Sequence, residues 1–325
     1  MQIENLKQKV WNGEAISEDE ALWLANEADK TLLYESAHEI TRHFMGDKFD
    51  LCSIINAKSG NCSEDCKWCA QSVHYPTAAD IYPLLPAEEC VEQAAYNASK
   101  GVRRFSLVTS GKRVTPGDLQ EITDIVRQIR KACPIHCCAS MGLLKADDLG
   151  KLREAGVENY HCNLESAPSY FPKLCSTHTT AQKLATLRLA RVAGLRLCSG
   201  GIIGMGESMA QRIEMARVLH AEGIRSIPLN LLHPIPGTPL EHAAPLSADE
   251  LLTTIALFRW INPEAFLRFA GGRRQLPEWV QRKALYVGIN SAITGDLLTT
   301  GGCSIEADKA MIAEAGYSLE ENTDW

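Results

Sequence analysis

The chain lacks an excess of basic residues and any long apolar segment. Its 325 residues include 33 Lys and Arg against 40 Asp and Glu, a formal net charge of -7, so we expect no nucleic-acid partner. No apolar run approaches the ~18 residues that span a bilayer, so we expect no membrane insertion. The first residues also lack the charged-then-apolar order of a signal peptide, which favours a cytoplasmic protein.

Indications of disulfide bonding and of dinucleotide binding are missing as well. With no secretion signal, the 12 cysteines predict free thiols and metal ligands, because disulfides belong to oxidising compartments. No G-x-G-x-x-G motif follows the first predicted strand. A doubly wound nucleotide-binding sheet is therefore the weaker of two architectures for this chain.

Short apolar strands alternate with longer amphipathic helices along the chain. Strand candidates begin near residues 51, 104, 134, 158, 195, 226, 265 and 291. Glycines at helix C-cap positions follow several of the helices: Gly156, Gly194 and Gly223. Eight strand–helix units in one chain predict a (β/α)8 barrel of the TIM type. We place this barrel at residues 41–325, after an N-terminal helical extension at residues 1–40.

Three clustered cysteines carry the most specific signal. Cys62, Cys66 and Cys69 form a C-x3-C-x2-C motif after the first predicted strand, where TIM barrels hold their active sites. A four-iron cluster takes four ligands, so three thiolates leave one iron open to a small molecule. The alternative is a structural zinc site with His74 as fourth ligand, although zinc sites usually combine two short ligand pairs.

A second group of cysteines falls inside predicted strands. Cys137 and Cys138 lie in the third strand, Cys162 in the fourth and Cys198 in the fifth. Each alone is more often a small buried side chain than a ligand. Cysteines at similar depth on neighbouring strands nevertheless favour a second metal site. Alternation along the strand lets only one of Cys137 and Cys138 point inward.

Arg268 lies in the middle of another predicted strand, in the segment FLRFAGG. A charged side chain inside a barrel needs a partner of opposite charge. That partner is either an anionic metal cluster with its thiolates or an interior carboxylate such as Glu165.

The chain resembles the biotin synthases, a family of radical S-adenosylmethionine (SAM) enzymes, from about Ser36 to its end. The matching segments are SGNCSEDCKWCAQS, LRLCSGGIIGMGES, PLNLLHPIPGTPL, RFAGGRRQ and NSAITGDLLTTGG. The radical SAM superfamily shares the first of these in looser form, whereas the later ones are more specific and occur in the family's order. The resemblance implies insertion of sulfur into dethiobiotin to give biotin, the last step of biotin biosynthesis.

The resemblance assigns a [4Fe-4S] cluster to Cys62, Cys66 and Cys69, with SAM bound at its open iron. One electron from the cluster would cleave SAM to methionine and a 5′-deoxyadenosyl radical that abstracts hydrogen from the substrate. No catalytic residue beyond the cluster ligands is implied. The expected SAM contacts are Gly200, Ile202, Gly204, Glu207 and Asn163. The expected substrate contacts are Asn163, Glu165, Asn230, Thr299 and Thr300.

An auxiliary iron–sulfur cluster that gives up a sulfide is also implied by the resemblance. Its usual ligands are three cysteines and an arginine, and Cys138, Cys198 and Arg268 match three of these positions. Ser106 stands where the family has the remaining cysteine, and its oxygen suits iron–sulfide poorly. We predict Cys162 as the replacement, in a [2Fe-2S] cluster or a larger variant with four irons or an extra sulfide. Two further cysteines are weaker candidates: Cys137 and Cys175.

Partners and rival functions complete the expectations from sequence. The resemblance implies a flavodoxin or ferredoxin as electron donor, and a homodimer. One rival is another radical enzyme of the same branch, such as a hydrogenase-cofactor maturase, but the interior Cys138, Cys198 and Arg268 speak against it. The other rival is an iron–sulfur electron carrier or redox sensor, which has little use for an open iron or a large barrel.

Overall fold

The computed structural model describes residues 2–319 and has the predicted (β/α)8 barrel. Met1 and residues 320–325, the end of the predicted barrel domain, lie outside the described residues. The strands are β1 (Asp50–Lys58), β2 (Arg104–Thr109), β3 (His136–Ser140), β4 (Val157–His161), β5 (Arg196–Cys198), β6 (Gly201–Ile203), β7 (Ser226–Leu231), β8 (Phe266–Phe269) and β9 (Ser291–Ile293). The helices are α1 (Ile3–Trp11), α2 (Glu18–Asn26), α3 (Lys30–Met45), α4 (Ala87–Ser99), α5 (Pro116–Ala132), α6 (Ala146–Ala155), α7 (Thr180–Val192), α8 (Met209–Ala221), α9 (Ala248–Ile261), α10 (Glu278–Val287) and α11 (Ile305–Glu314).

The strands form one closed parallel sheet. Their order is β5-β4-β3-β2-β1-β9-β8-β7-β6, and a pairing of β5 with β7 closes the barrel. Together β5 and β6 make one barrel strand, interrupted at Ser199 and Gly200, so the barrel has eight strands in effect. A Cβ atom at Gly200 would lie 1.9 Å from the Pro228 carbonyl oxygen, so only glycine fits at this interruption.

Three N-terminal helices cover the outside of the barrel, as the sequence predicted. The helix α3 packs on α9 and α10, and α2 packs on α8. A capping box starts α2, because the Ser17 hydroxyl accepts from the Glu20 N–H and the Glu20 carboxylate accepts from the Ser17 N–H. The expected domain boundary at residue 40 falls inside the continuous helix α3. None of the helices within residues 2–319 has the length and apolar character needed to cross a membrane.

Strand register determines which side chains face the barrel interior. Cys138 on β3 pairs with Ser106 on β2, and Ser106 pairs with Ile54 on β1. Paired residues in a sheet share a face, and so do residues two positions apart on one strand. Cys52, two residues before Ile54, therefore points to the same side of the sheet as Cys138.

Candidate active site

The loop that follows β1 folds back on itself at the carboxyl end of the barrel. The Cys62 N–H donates to the Gln71 carbonyl oxygen at 3.0 Å, and the Val73 N–H donates to the Cys62 carbonyl oxygen at 2.9 Å. The Cys69 N–H donates to the Cys66 carbonyl oxygen at 3.0 Å. All three cysteines of the motif line one cavity of about 200 Å³. The structure thus brings the three predicted cluster ligands to one opening at the rim, which we call the rim set.

A second cavity, of about 270 Å³, adjoins the first at the barrel mouth. Among the described residues, nine line both cavities, including Cys69, His161, Asn163 and Glu165. The second cavity is also lined by four more predicted contacts: Ile202, Asn230, Thr299 and Thr300. Cavities at the carboxyl ends of barrel strands are where TIM-barrel enzymes bind substrate. Most of the predicted cofactor and substrate residues are therefore gathered around one opening.

Asn163 and Glu165 follow β4 and support the interrupted strand beside it. The Gly200 N–H donates to Asn163 Oδ1 at 3.2 Å, and the Ile202 N–H donates to the Glu165 carbonyl oxygen at 2.9 Å. Glu165 has φ of 70°, which is uncommon for a residue with a side chain and occurs often at functional sites. Burial raises the pKa of its carboxyl group, and the charge of Lys183 only partly offsets this.

Other predicted contacts shape the loops behind the cavity. The Gly204 and Met205 N–H groups each donate to the Glu207 carboxylate at 2.8 Å, and Arg212 Nε donates to it at 2.6 Å. Within the described part of the chain, Glu207 lines neither of the two cavities. The Asn230 amide bonds to backbone groups of two neighbouring segments. Glu207 and Asn230 therefore stabilise the backbone of the loops behind the cavity through these hydrogen bonds.

Cys175 and His178 lie against Cys66 at the rim. The Cys175 Sγ is 3.7 Å from the Cys66 Sγ and 3.3 Å from Nδ1 of His178. The hydrogen bond between the two sulfurs raises the pKa of Cys66 and lowers that of Cys175 to about 4. The contact with Cys66 places Cys175 at the rim, away from the strands that carry the predicted auxiliary ligands. His74, the alternative zinc ligand, is exposed, and its Nε2 lies 3.0 Å from the Ser63 carbonyl oxygen.

Three further thiols lie inside the barrel, and we call them the interior set. Cys52 on β1, Cys138 on β3 and Cys198 on β5 are each 1% exposed. Register directs all three toward the interior. Burial raises the pKa of the Cys138 thiol, and the nearby Cys52 raises it further.

Two arginines and one aspartate share the interior with these thiols. Arg268 Nη2 donates to Asp50 Oδ2 at 2.7 Å, and Arg104 Nε donates to Asp50 Oδ1 at 3.1 Å. The Ser226 hydroxyl accepts from Arg268 at 3.3 Å and donates to the Cys198 sulfur at 3.2 Å. Burial alone lowers the pKa of Arg268, but the charge of Asp50 and of the thiols raises it overall. Asp50, and not Glu165, is the interior carboxylate that pairs with this arginine.

Unpaired polar atoms surround the interior set. Among residues 2–319, twelve buried side-chain N and O atoms have no hydrogen-bond partner, and three of them belong to inward-facing strand residues beside these thiols: Ser106 Oγ, Asn159 Nδ2 and Arg268 Nε. Buried polar groups in native proteins are nearly always paired, so these atoms indicate room for a polar group among the thiols. Soft sulfur ligands beside two guanidinium groups suit an anionic iron–sulfur cluster. The residues present therefore fit such a cluster.

Cys162 and Cys137 point away from the interior set. The Cys162 Sγ lies 4.0 Å from the Lys183 carbonyl oxygen on α7, and both cysteines pack in the apolar layer between the strands and the helices. Alternation turns the neighbouring His161 inward, where burial and the charges of two arginines lower its pKa to about 3. The structure thus places Cys52, and not Cys162, beside the other interior thiols.

Comparison with known proteins gives two family matches and many close relatives. A model described as the radical SAM superfamily matches residues 57–219, and one described as the Biotin and Thiamin Synthesis associated domain matches residues 228–318. The chain is 64% identical over 325 residues to a biotin synthase of Parabacteroides distasonis, covering 100% of this chain and 99% of the relative. It is 58% identical over 323 residues to a biotin synthase of Porphyromonas gingivalis, covering 99% and 98%.

Solved structures share the barrel at much lower identity. A methylornithine synthase superposes with a TM-score of 0.83 at 19% identity, covering 96% of both chains. A FeFe-hydrogenase maturase from Carboxydothermus hydrogenoformans superposes with a TM-score of 0.81 at 17% identity, covering 97% of this chain and 78% of that chain. At these identities the two structures support the fold alone.

Proposed function

The chain belongs to the biotin synthase family of radical SAM enzymes, and on that premise we propose how its two thiol sets divide the reaction. The enzyme inserts sulfur into dethiobiotin to give biotin, and its family uses a [4Fe-4S] cluster, SAM and an auxiliary cluster. The observation that carries the proposal is the separation of six cysteines into a rim set and an interior set. Radical generation belongs to the first and the supply of sulfur to the second.

At the rim, Cys62, Cys66 and Cys69 are the proposed ligands of the [4Fe-4S] cluster. When bound, the cluster and SAM supply a carbon radical able to remove hydrogen from unactivated C–H bonds. The chain positions the reactants and encloses them away from water. In this proposal, Asn163 lies between cofactor and substrate, since it lines both cavities. The proposed contacts of the substrate carboxylate are Thr299 and Thr300.

In the interior, the proposed ligands of the auxiliary cluster are Cys52, Cys138, Cys198 and Arg268. Arg104 and Arg268 offset the negative charge of thiolates and sulfides, and Asp50 holds both guanidinium groups in place. This site adjoins the substrate cavity, because His161 lines that cavity and interacts with the charge of Arg268. We propose that the sulfur of biotin comes from a sulfide held here. The set of ligands is compatible with a [2Fe-2S] cluster or a larger one.

Two parts of the proposal rest on the family resemblance. A reductant is required to start each SAM cleavage, and we propose a flavodoxin or ferredoxin for this role. We also propose that the chain forms a homodimer in solution.

The source of sulfur is tested by isotope labelling. Cluster-free protein is reconstituted anaerobically with iron and heavy-isotope sulfide, freed of excess reagent, and then supplied with SAM, reductant, dethiobiotin and ordinary sulfide. The first turnover is expected to give biotin that carries the heavy isotope. Ordinary sulfur in that first biotin would place the source outside the protein. Release of 5′-deoxyadenosine without biotin would instead favour the rival radical enzyme that does not insert sulfur.

A further inference from the structure

We propose that, in the cluster-free protein, Cys66, Cys175 and His178 bind a single soft divalent cation, Zn²⁺ or Fe²⁺. The site takes Cys66 away from the [4Fe-4S] cluster, so the single ion and the cluster exclude each other. This exclusion rests on the proposed function, because that proposal makes Cys66 a cluster ligand. Binding of the ion is independent of the proposed function.

The three ligand atoms have the spacing of a mononuclear site. They all lie within 4.8 Å of one another. The Cys66 and Cys175 sulfurs are 3.7 Å apart, and Nε2 of His178 is 3.9 Å from the Cys175 sulfur. Tetrahedral zinc, with bonds of about 2.3 Å to sulfur and 2.0 Å to nitrogen, separates two sulfurs by roughly 3.8 Å and sulfur from nitrogen by roughly 3.5 Å. The distance between the two sulfurs and the distance from the Cys175 sulfur to Nε2 are close to that geometry.

A carboxylate supports the histidine as in many metal sites. Nδ1 of His178 lies 2.7 Å from Glu64 Oε2. A metal-binding imidazole usually donates its other ring N–H to a carboxylate, which fixes the ring and increases its basicity. With Nδ1–H donated to Glu64, Nε2 is free to bind the ion. A water molecule would complete four ligands.

The segment that carries Cys175 is fastened to the cysteine loop. The Ser176 and Thr177 N–H groups donate to Asp65 Oδ1 at 2.9 and 3.2 Å. The two cysteines are 109 residues apart in sequence, so an ion here would link the loop after β1 to the segment after β4. Cys66 and Cys175 also pack against Phe171, which limits access of water to the site. Two cysteines and one histidine, with water in the fourth position, are a ligand set that zinc takes in proteins.

Cobalt titration of the cluster-free protein tests the site directly. Under anaerobic conditions, Co²⁺ is expected to bind at one equivalent with the visible bands of tetrahedral coordination and with thiolate-to-cobalt charge transfer. Zn²⁺ is expected to displace it. Cys175→Ala should lower the cobalt affinity by roughly 100-fold or more, since it removes one of three protein ligands. Cys90→Ala is the matched control, because Cys90 is a buried thiol of α4 outside both thiol sets.

Further variants distinguish this site from the cysteine motif. His178→Gln removes a different ligand and serves the same purpose if Cys175→Ala does not fold. Cys62→Ala should retain cobalt binding, whereas equal loss in Cys62→Ala would assign the ion to the motif and overturn the proposal. Full affinity in a folded Cys175→Ala protein would also overturn it. These measurements use cluster-free protein, so their failure leaves the assignment of biotin formation unaffected.

Mutual exclusion has its own measurement. Protein loaded with one equivalent of Zn²⁺ is expected to take up iron and sulfide more slowly than metal-free protein, as followed by cluster absorbance. In Cys175→Ala the same addition of Zn²⁺ should have no effect. Equal inhibition of both proteins would contradict competition at Cys66.

Discussion

The rim set and the interior set present cysteine in different ways. The rim set comes from one loop, whose backbone hydrogen bonds bring Cys62, Cys66 and Cys69 together. The interior set comes from three strands, and register alone aligns its members. A loop motif keeps its ligands at constant spacing. A barrel interior accepts a ligand from any inward position, so Cys52 on β1 can stand in for the absent thiol at Ser106 on β2.

The surroundings of the two sets also differ in charge. At the rim, Cys66 has a thiol, an imidazole and a carboxylate nearby. In the interior, two guanidinium groups flank the thiols, and one buried carboxylate pairs with both. Ionised groups in a barrel interior are costly unless they are paired. The interior set therefore depends on its neighbours for charge balance, whereas the rim set depends on the course of one loop.

Replacing Cys52 should have the largest effect and separate the two sets. Cys52→Ala removes a ligand from the interior set, so we expect loss of the auxiliary cluster and of biotin formation. Reductive cleavage of SAM should persist, because the rim set is intact. Iron and sulfide content with Mössbauer spectra measures the clusters, and 5′-deoxyadenosine and biotin measure the two reactions.

The matched control for this variant is Cys162→Ala. Cys162 directly follows the last residue of β4, His161, which faces the interior. The Cys162 thiol faces α7 instead, so this variant should keep both clusters. A complete auxiliary cluster in Cys52→Ala, together with loss of that cluster in Cys162→Ala, would assign Cys162 and not Cys52 as its ligand.

The charge balance of the interior is tested by Asp50→Asn. This change leaves Arg104 and Arg268 buried without their carboxylate, and breaking such a buried pair costs about 3–5 kcal/mol. Urea unfolding of the cluster-free protein measures the loss. Asp124→Asn is the control, because its pair with Arg127 is exposed and contributes about 1 kcal/mol at most. Similar losses in the two variants would show that the interior pair has no special role.

Acidification should have a smaller effect, and it acts through His161. The folded-state pKa of His161 is about 3, below the ordinary 6.5, because burial and the nearby arginines disfavour its charged form. The unfolded chain therefore binds the proton first as pH falls. The contribution of this group to stability is complete above about pH 6.5 and is lost toward pH 3, by up to about 1.4 kcal/mol per pH unit.

Comparison with His161→Gln isolates this contribution. Urea unfolding of both cluster-free proteins between about pH 7 and pH 5 should show a steeper loss of unfolding free energy in the wild-type chain. Parallel pH profiles would mean that His161 is accessible to protons in the folded state.

Several features of the fold were predictable because their signals are local. The predicted strand at residue 104 corresponds to β2, and Gly156, predicted at a helix C-cap position, follows α6. A capping box at Thr115 marks the start of α5, and Pro116 occupies its first turn. The strand predicted near residue 195 was only partly correct, since the close approach of Pro228 to Gly200 interrupts it.

The sequence did not predict which side chains of the first strand lie beside the thiols and arginines of the barrel interior. Cys52 is in the first predicted strand, and Asp50 immediately precedes that strand, so their two-residue spacing was visible in the sequence. Which face of that strand turns inward depends on its register with β2 and β9. A shift of one residue would exchange the two faces, so alternation alone cannot choose between them.

By itself the sequence determined the alternation of strands and helices and the three cysteines of the rim set, because hydrophobic period and motif spacing are written along the chain. Only the tertiary structure decided that Cys52 faces the same interior as Cys138 and Cys198, that Asp50 pairs with Arg268, and that Cys175 lies against Cys66. Those contacts join segments from distant parts of the chain, which barrel closure, strand register and the hydrogen bonds between loops bring together.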